Sequence, residues 1–200
     1  MTHALCFALA EVLVNRTRSD AAILCDTLSA HDIDPSERLL TAATDAFRDA
    51  FAALKPAPYR QSMAAVVAAA ESDADPDDMV ETLREQTHAA TEVPDAARES
   101  LVGLAGDNRL AVVTDGPREW QVGKLDHHDL LEQFDTVVAS YDVGTHKPDA
   151  APFERVRAQV DAEEYVMVGD ESDVEGARAA GFVTIEYDGP ALWATIGALL

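Results

Sequence analysis

The stretch Tyr165 to Gly181, YVMVGDESDVEGARAAG, most constrains what this chain can fold into. Tyr165 to Val168 is a short apolar run bounded by a glycine, which reads as a fully buried strand. Gly169 ends it, and two carboxylates, Asp170 and Asp173, follow at once. From Asp173 the pattern turns helical, with Val174, Ala177, Ala180 and Gly181 small or apolar at spacings of three and four. A strand that stops at Gly-Asp and re-enters a helix leaves its acids at the carboxyl edge of a parallel sheet, the edge where ligands bind. Taken singly, Asp170 reads as a turn residue and Asp173 as a helix N-cap. The rest of the chain gives the pair its meaning.

Ala4 to Val14, ALCFALAEVLV, is a second apolar run and reads as a buried strand ending in a turn near Glu11. From about Arg18 to Ser100 the period changes to that of helices. Ala21, Leu24 and Leu28 recur at helical spacing, Pro35-Ser36-Glu37 opens a helix through Phe47 and Phe51, and Lys55-Pro56-Ala57-Pro58 stops it. Met63 to Ala70, a segment opened by Asp75-Pro76, and another after Val93-Pro94 are helical as well. From Arg109 strands and helices alternate. Leu110 to Val113 ends at Thr114-Asp115-Gly116, Thr136 to Ser140 is the next strand, and Asp149 to Val160 is a helix. Val183 to Tyr187 is a last strand, followed by a closing helix over Leu192 to Leu200. The order predicts an α/β fold, a Rossmann-like doubly wound parallel sheet with a small α-helical cap inserted after the first strand. Residues 1–17 and 94–200 form the core in this reading, and 18–93 the cap.

The formal net charge is −22, and the chain has three lysines, Lys55, Lys124 and Lys147. An acidic surface this strong excludes nucleic acid and anionic membrane as partners, because phosphate backbones are repelled. It is the balance of a protein kept soluble in high salt, where screening removes most self-repulsion, and it predicts a haloarchaeal type of cytosol. Two cysteines, Cys6 and Cys25, make no disulfide framework in 200 residues. No apolar run reaches membrane-spanning length and no signal peptide pattern opens the chain, so a cytoplasmic location is expected.

Four strand ends line up in order: Ala8/Ala10, Thr114, Lys147 and Asp170/Asp173. This order resembles the haloacid dehalogenase-like superfamily of phosphatases and related hydrolases over nearly the whole chain. The most specific part runs from Val112 to Glu154, VVTDGPREWQVGKL…FDTVVASYDVGTHKPDAAPFE, followed by VMVGD…DVEGARAAG. The resemblance implies a nucleophilic aspartate and an acid/base aspartate two residues later on the first strand. It further implies a phosphoryl-binding Ser/Thr, a lysine that offsets charge, and acids that hold Mg²⁺. Carried over by position, Thr114 is the phosphoryl-binding residue, Lys147 the lysine and Asp170 the principal metal ligand, with Asp173 as the second acid. Asp115 and Gly116 lie where backbone N–H groups could cradle an anion. Arg60, in Tyr59-Arg60-Gln61 after the proline-rich break, could read the far end of a substrate, or simply start a helix. His127 and His128 are adjacent and point to different faces, which argues against a metal site there.

The first motif departs from the family. Where the family reads FDxDxTL, this chain reads Phe7-Ala8-Leu9-Ala10-Glu11-Val12-Leu13. Alanine at positions 8 and 10 can neither attack phosphorus, donate a proton nor bind Mg²⁺, and Glu11 lies one residue out of phase on a strand. The fourth motif is also short, because Asp170 and Asp173 are three apart where relatives space their acids by four or five. Asp173 then caps the helix instead of supporting a metal. An engineered knockout accounts for the alanines and not for the shortened turn, so the two departures together favour a natural member that has lost the chemistry. The expected role is a catalytically silent binding or regulatory module for a small phosphorylated or anionic ligand, with weak Mg²⁺ binding and a possible homo- or hetero-oligomeric state. The alternative is a Mg²⁺-dependent phosphatase represented by an inactivated variant. A receiver-type signalling domain also uses strand-end Asp, Thr and Lys, but the long helical insert and the missing acceptor argue against it.

Overall fold

The computed structural model describes residues 2–196 and divides the chain into two compact units. One comprises Met1–Asn15 with Glu92–Leu200, the other Arg16–Thr91. The chain opens with β1 (His3–Phe7), whose last four residues are all buried, and passes through β2 (Asn15–Arg16) into the helical unit. There follow α1 (Asp20–Ala30), α2 (Glu37–Ala52), α3 (Pro58–Ala70) and α4 (Pro76–Ala89). β3 (Thr91–Glu92) pairs with β2 and leads into α5 (Asp95–Leu104).

The helical unit is set by caps and one apolar face per helix. Ser19 caps α1 by accepting the Ala22 N–H at 3.2 Å, and Asp75 caps α4 by accepting that of Asp77 at 2.9 Å. Leu24 and Leu28 of α1, Leu39 and Ala43 of α2, Met63 and Val66 of α3 and Met79 of α4 form its core. Thr27 Oγ1 donates to Gln86 Oε1 at 2.8 Å and ties α1 to α4 through a polar contact.

In the other unit β4 (Arg109–Thr114), α6 (Arg118–His127), β5 (Thr136–Ala139) and α7 (Ser140–Val143) follow α5. Then come α8 (Ala151–Gln159), β6 (Glu164–Gly169), α9 (Glu171–Ala179) and β7 (Val183–Glu186). The sheet order is β5-β4-β1-β6-β7, with all neighbours parallel. β1 sits at its centre, which is why Ala4 to Phe7 are apolar without alternation: both faces are covered. The connection from β1 leads to β4 on one side, and that from β6 to β7 on the other. Their carboxyl ends therefore open the crevice expected at a topological switch point.

The structure corrects two boundaries. The Ala4–Val14 run is a strand only to Phe7. Glu11 adopts φ 64°, and the buried Leu9, Val12, Leu13 and Val14 belong to a turn closed by Leu13 N–H to Leu9 O at 3.1 Å. Glu11 is thus displaced by a left-handed turn, where strand phase no longer applies. The closing segment begins as a 3₁₀ helix over Pro190–Ala194, and positions 197–200 of the expected Leu192–Leu200 helix lie outside the described residues. Among the described residues no helix is long and apolar enough to cross a membrane.

Candidate anion site at the carboxyl edge of the sheet

Ala8 is the first residue past β1. It is 3% exposed, and its N–H donates to Val168 O at 2.9 Å, so it lies in the crevice between β1 and β6. Ala10 is exposed and forms an isolated bridge with Val14. Neither brings a carboxylate to the edge. Thr114 ends β4, is 6% exposed, and its hydroxyl makes a long contact with Asp115 O at 3.5 Å.

Lys147 comes from the loop between α7 and α8. Its Nζ donates to Val113 O at 3.4 Å and pairs with Asp173 Oδ1 of α9. Val113 is one residue beyond the Phe7–Val112 pair of the parallel register, which puts the ammonium at the level of Ala8. The side chains of Lys147 and Asp173 are 9% and 7% exposed, so this is a buried pair. Its backbone is held as well: Lys147 N–H donates to Asp115 Oδ1 at 3.1 Å. The same Asp115 oxygen lies 3.5 Å from His146 Nδ1. Asp115, expected to be a turn residue beside an anion cradle, is in fact the anchor of the lysine loop.

Two glycines let α9 approach this closely. A Cβ on Gly169 would lie 2.6 Å from Asp173 Oδ2, and one on Gly176 would lie 2.8 Å from the Pro148 Cα. Glycine at 169 leaves room for Asp173 to fold back over the strand end. Glycine at 176 leaves room for the backbone that follows Lys147.

Asp170 and Asp173 exchange roles relative to the sequence-based expectation. Asp170, not Asp173, is the N-cap of α9, and its Oδ1 accepts Asp173 N–H at 3.0 Å and the Ser172 hydroxyl at 2.7 Å. Asp173 sits at N3 and returns the bond, its Oδ2 accepting Asp170 N–H at 3.2 Å. Burial works to raise the Asp170 pKa. The N–H groups of Asp173 and Ser172, the Ser172 hydroxyl and the Lys147 charge outweigh it and hold the carboxyl below its ordinary value.

The Gly116 N–H is likewise not open to a ligand. It donates to Ser140 Oγ at 2.9 Å, and Ser140 is fully buried at the start of α7. Sequence reasoning missed Ser140, which it read as the last residue of the Thr136–Ser140 strand and which instead opens α7. It also missed Gly176, although a glycine inside a helical pattern is a sign of close backbone approach. Arg60 lies in the helical unit and pairs with Asp77 of α4 at 2.8 Å. His127 and His128 stack edge-on at 4.9 Å, and burial together with His127 lowers the His128 pKa.

The donor set does not fit Mg²⁺, a hard cation that wants several oxygen ligands at close to octahedral geometry. The segment after β1 offers methyl groups at 8 and 10. Both Asp173 oxygens and Asp170 Oδ1 are engaged by N–H, O–H and ammonium donors. Among the described residues no three acidic, histidine or cysteine side chains converge as a metal site. Asp170 and Asp173, expected as metal ligands, here form the reciprocal cap of α9, and Asp173 also pairs with Lys147.

Solved structures similar in shape share this fold. A 2-haloacid dehalogenase from Pseudomonas syringae superposes with a TM-score of 0.76 at 24% identity, over 100% of this chain and 99% of that one. YfnB of Bacillus subtilis, a hydrolase solved bound to magnesium, gives 0.64 at 18% identity, over 92% of this chain and 85% of that one. At these identities the likeness is one of fold. A curated relative, the ribulose-1,5-bisphosphate 5-phosphatase of Halopiger xanaduensis, is 37% identical over 101 residues, covering 48% of this chain and 42% of the relative. The matched chain thus spans less than half of that relative's length. The family profile matches from residue 38, past Ala8 and Ala10. Over residues 38–186, and so over most of its length, the chain belongs to the haloacid dehalogenase-like hydrolase family.

Proposed function

We propose that this chain is an anion-binding or regulatory module on a phosphatase scaffold, silent in aspartyl-phosphate chemistry. The observation that carries the reading is the pair of methyl groups, Ala8 and Ala10, following the central strand where the family's nucleophile and acid/base stand. A covalent phosphoryl intermediate needs an oxygen nucleophile there, and loss of such a residue costs on the order of 10⁴ to 10⁶ in rate. The Thr114 hydroxyl and the Lys147 ammonium remain as groups that suit a small phosphorylated ligand. The name of the Halopiger relative points to the same ligand class. Pairing with an active relative would give such a module a regulatory use.

The second reading is a Mg²⁺-dependent phosphatase represented by an inactivated variant, favoured by the retained Thr114, Lys147 and Asp170 at one sheet edge. Hydrolysis of an aryl phosphate in molar KCl with Mg²⁺, for the chain as given and for Ala8→Asp/Ala10→Asp, separates the two. Silence in both supports the module. Turnover in the restored variant alone supports the inactivated enzyme, and turnover in the unmodified chain overturns the assignment of positions 8 and 10.

A further inference from the structure

We propose that the amino end of the sheet, opposite the anion site, carries a self-complementary surface on which a second copy of this chain docks. A cleft of about 480 Å³ opens there between the end of α5, the start of β4 and the turn before β5. Buried Leu110 and Phe134 give it an apolar lining. Val102 of α5 borders the cleft and is 65% exposed, one of two exposed large apolar side chains among the described residues. The helix end around it is slim, because Ala105 is small and a Cβ on Gly103 would meet nothing within 4 Å. An apolar knob thus stands beside a hollow of matching character.

The charges on the same patch identify the occupant. Arg109 Nη1 donates to Asp135 Oδ1 at 3.1 Å, and Asp135 Oδ2 accepts the Leu110 N–H at 2.9 Å, so both oxygens of that carboxylate are engaged within the chain. The other guanidinium N–H groups of Arg109 make no hydrogen bond among the described residues, and the side chain is exposed. Glu132, which also lines the cleft, is exposed and makes no ion pair among the described residues. One cation with spare donors, one unpaired carboxylate, one knob and one hollow complement themselves under a two-fold rotation. Arg109 then meets Glu132 of the second copy twice over, and each Val102 enters the other cleft. A basic protein, the partner that a net charge of −22 would otherwise favour, meets Arg109 as a like charge here. Two copies repel at long range, so association needs salt that screens the net charge and spares charges in contact. The inference stands whether or not the opposite edge binds an anion.

Sedimentation equilibrium of the full chain in about 1 M KCl, where the screening length is near 3 Å, tests it. Chain concentrations from about 1 to about 200 µM read a Kd on the order of 10 µM. Wild type is expected to form a reversible dimer that stops at two copies. Arg109→Glu and Glu132→Arg are each expected to raise Kd at least about tenfold, since a two-fold axis repeats every like-charge clash. Arg109→Glu/Glu132→Arg restores the attraction and should bind at least about threefold more tightly than either single variant. A wild type that stays monomeric over the whole range overturns the proposal. So does a dimer indifferent to both single exchanges, one that the double exchange fails to recover, or an assembly that grows past two. Arg109→Glu removes an exposed ion pair and is expected to fold. Should it not, Val102→Asp decides: a lost dimer supports the proposal and an unchanged Kd overturns it.

Discussion

Gly176 and Pro148 meet backbone to backbone, so closely that a Cβ on the glycine would lie 2.8 Å from the proline Cα and 2.9 Å from its carbonyl carbon. Real side chains do not tolerate such distances. Gly176→Ala must therefore push the loop bearing Lys147 off α9, with a destabilisation of about 1–3 kcal/mol. Gly103 in α5 is the contrast, since a Cβ there meets nothing within 4 Å. Gly103→Ala should stabilise by about 0.5–1 kcal/mol through helix propensity. Equal effects of the two in chemical denaturation would contradict the packing described here.

Asp173 serves a buried lysine and a helix cap at once, whereas the hydrogen bonds of the Asp170 carboxylate all lie within the cap. Asp173→Ala leaves the Lys147 charge uncompensated and should cost about 3–5 kcal/mol. Asp170→Ala should cost about 1 kcal/mol. Denaturant midpoints at neutral pH check the order, and a reversal would mean that the ion pair contributes little.

The lowered pKa of Asp170 fixes the sign of a pH effect. The folded state holds fewer protons on this carboxyl than the unfolded state. Its stabilisation is therefore fully present above the ordinary value of 3.8 and is lost as pH falls through the lower folded value. The stability gap between wild type and Asp170→Asn should be constant above about pH 5 and should close below the ordinary carboxylate range. A gap that widens on acidification would reverse the assignment.

Ser140 is buried and its hydroxyl accepts the Gly116 N–H at the turn after Thr114. Ser140→Ala leaves that N–H buried without its acceptor, at a cost of about 1–3 kcal/mol. If the turn positions Thr114, phosphate affinity measured by calorimetry should fall together with stability. Ser140→Thr, which keeps the oxygen, should recover more of the affinity than Ser140→Ala.

Burial pushes the Cys6 thiol up to about 12, while Cys25 is half-buried on α1. At pH 8 on the order of one Cys6 thiol in 10⁴ is ionised, and the thiolate is the reactive form. An aromatic disulfide reagent should titrate at most one thiol in the native chain and two after denaturation. Two fast thiols in the native state would show that β1 is not the sealed centre of the sheet.

A net charge of −22 opposes compaction, and salt relieves it. Raising KCl from 0.1 to 1 M shortens the screening length from about 10 to about 3 Å. The melting temperature should rise by at least about 2–4 °C, the equivalent of 1 kcal/mol for a chain of this length. A flat response would show that the acids are spaced widely enough not to interact.

Much of this was legible because local rules dominate where it was read. The Tyr165–Val168 run ending in Gly-Asp, the prolines that stop α2 and open α4 and the change of period at Arg109 each carry their own physical cause. They are enough to give a parallel α/β sheet with a helical insertion and to place Thr114 and Asp170 at its carboxyl edge. The strand was read past Phe7, up to the expected turn near Glu11, because apolar composition records burial and not φ: Leu9, Val12, Leu13 and Val14 are as buried as the strand, while Ala10 and Glu11 are exposed.

By itself, then, the sequence determined the order of the elements, the absence of carboxylates at positions 8 and 10, and the net charge of −22, all properties of composition and short-range pattern. Only the tertiary structure decided what Lys147, Asp173, Asp115 and Ser140 do. Their partners lie on other elements, Lys147 and Asp173 being 26 positions apart, Asp115 and Lys147 32, and Gly116 and Ser140 24. The reason is physical: a carboxylate has few lone pairs, and whether a cap, an ammonium or a cation takes them depends on which donor the packing of glycine against backbone brings within reach.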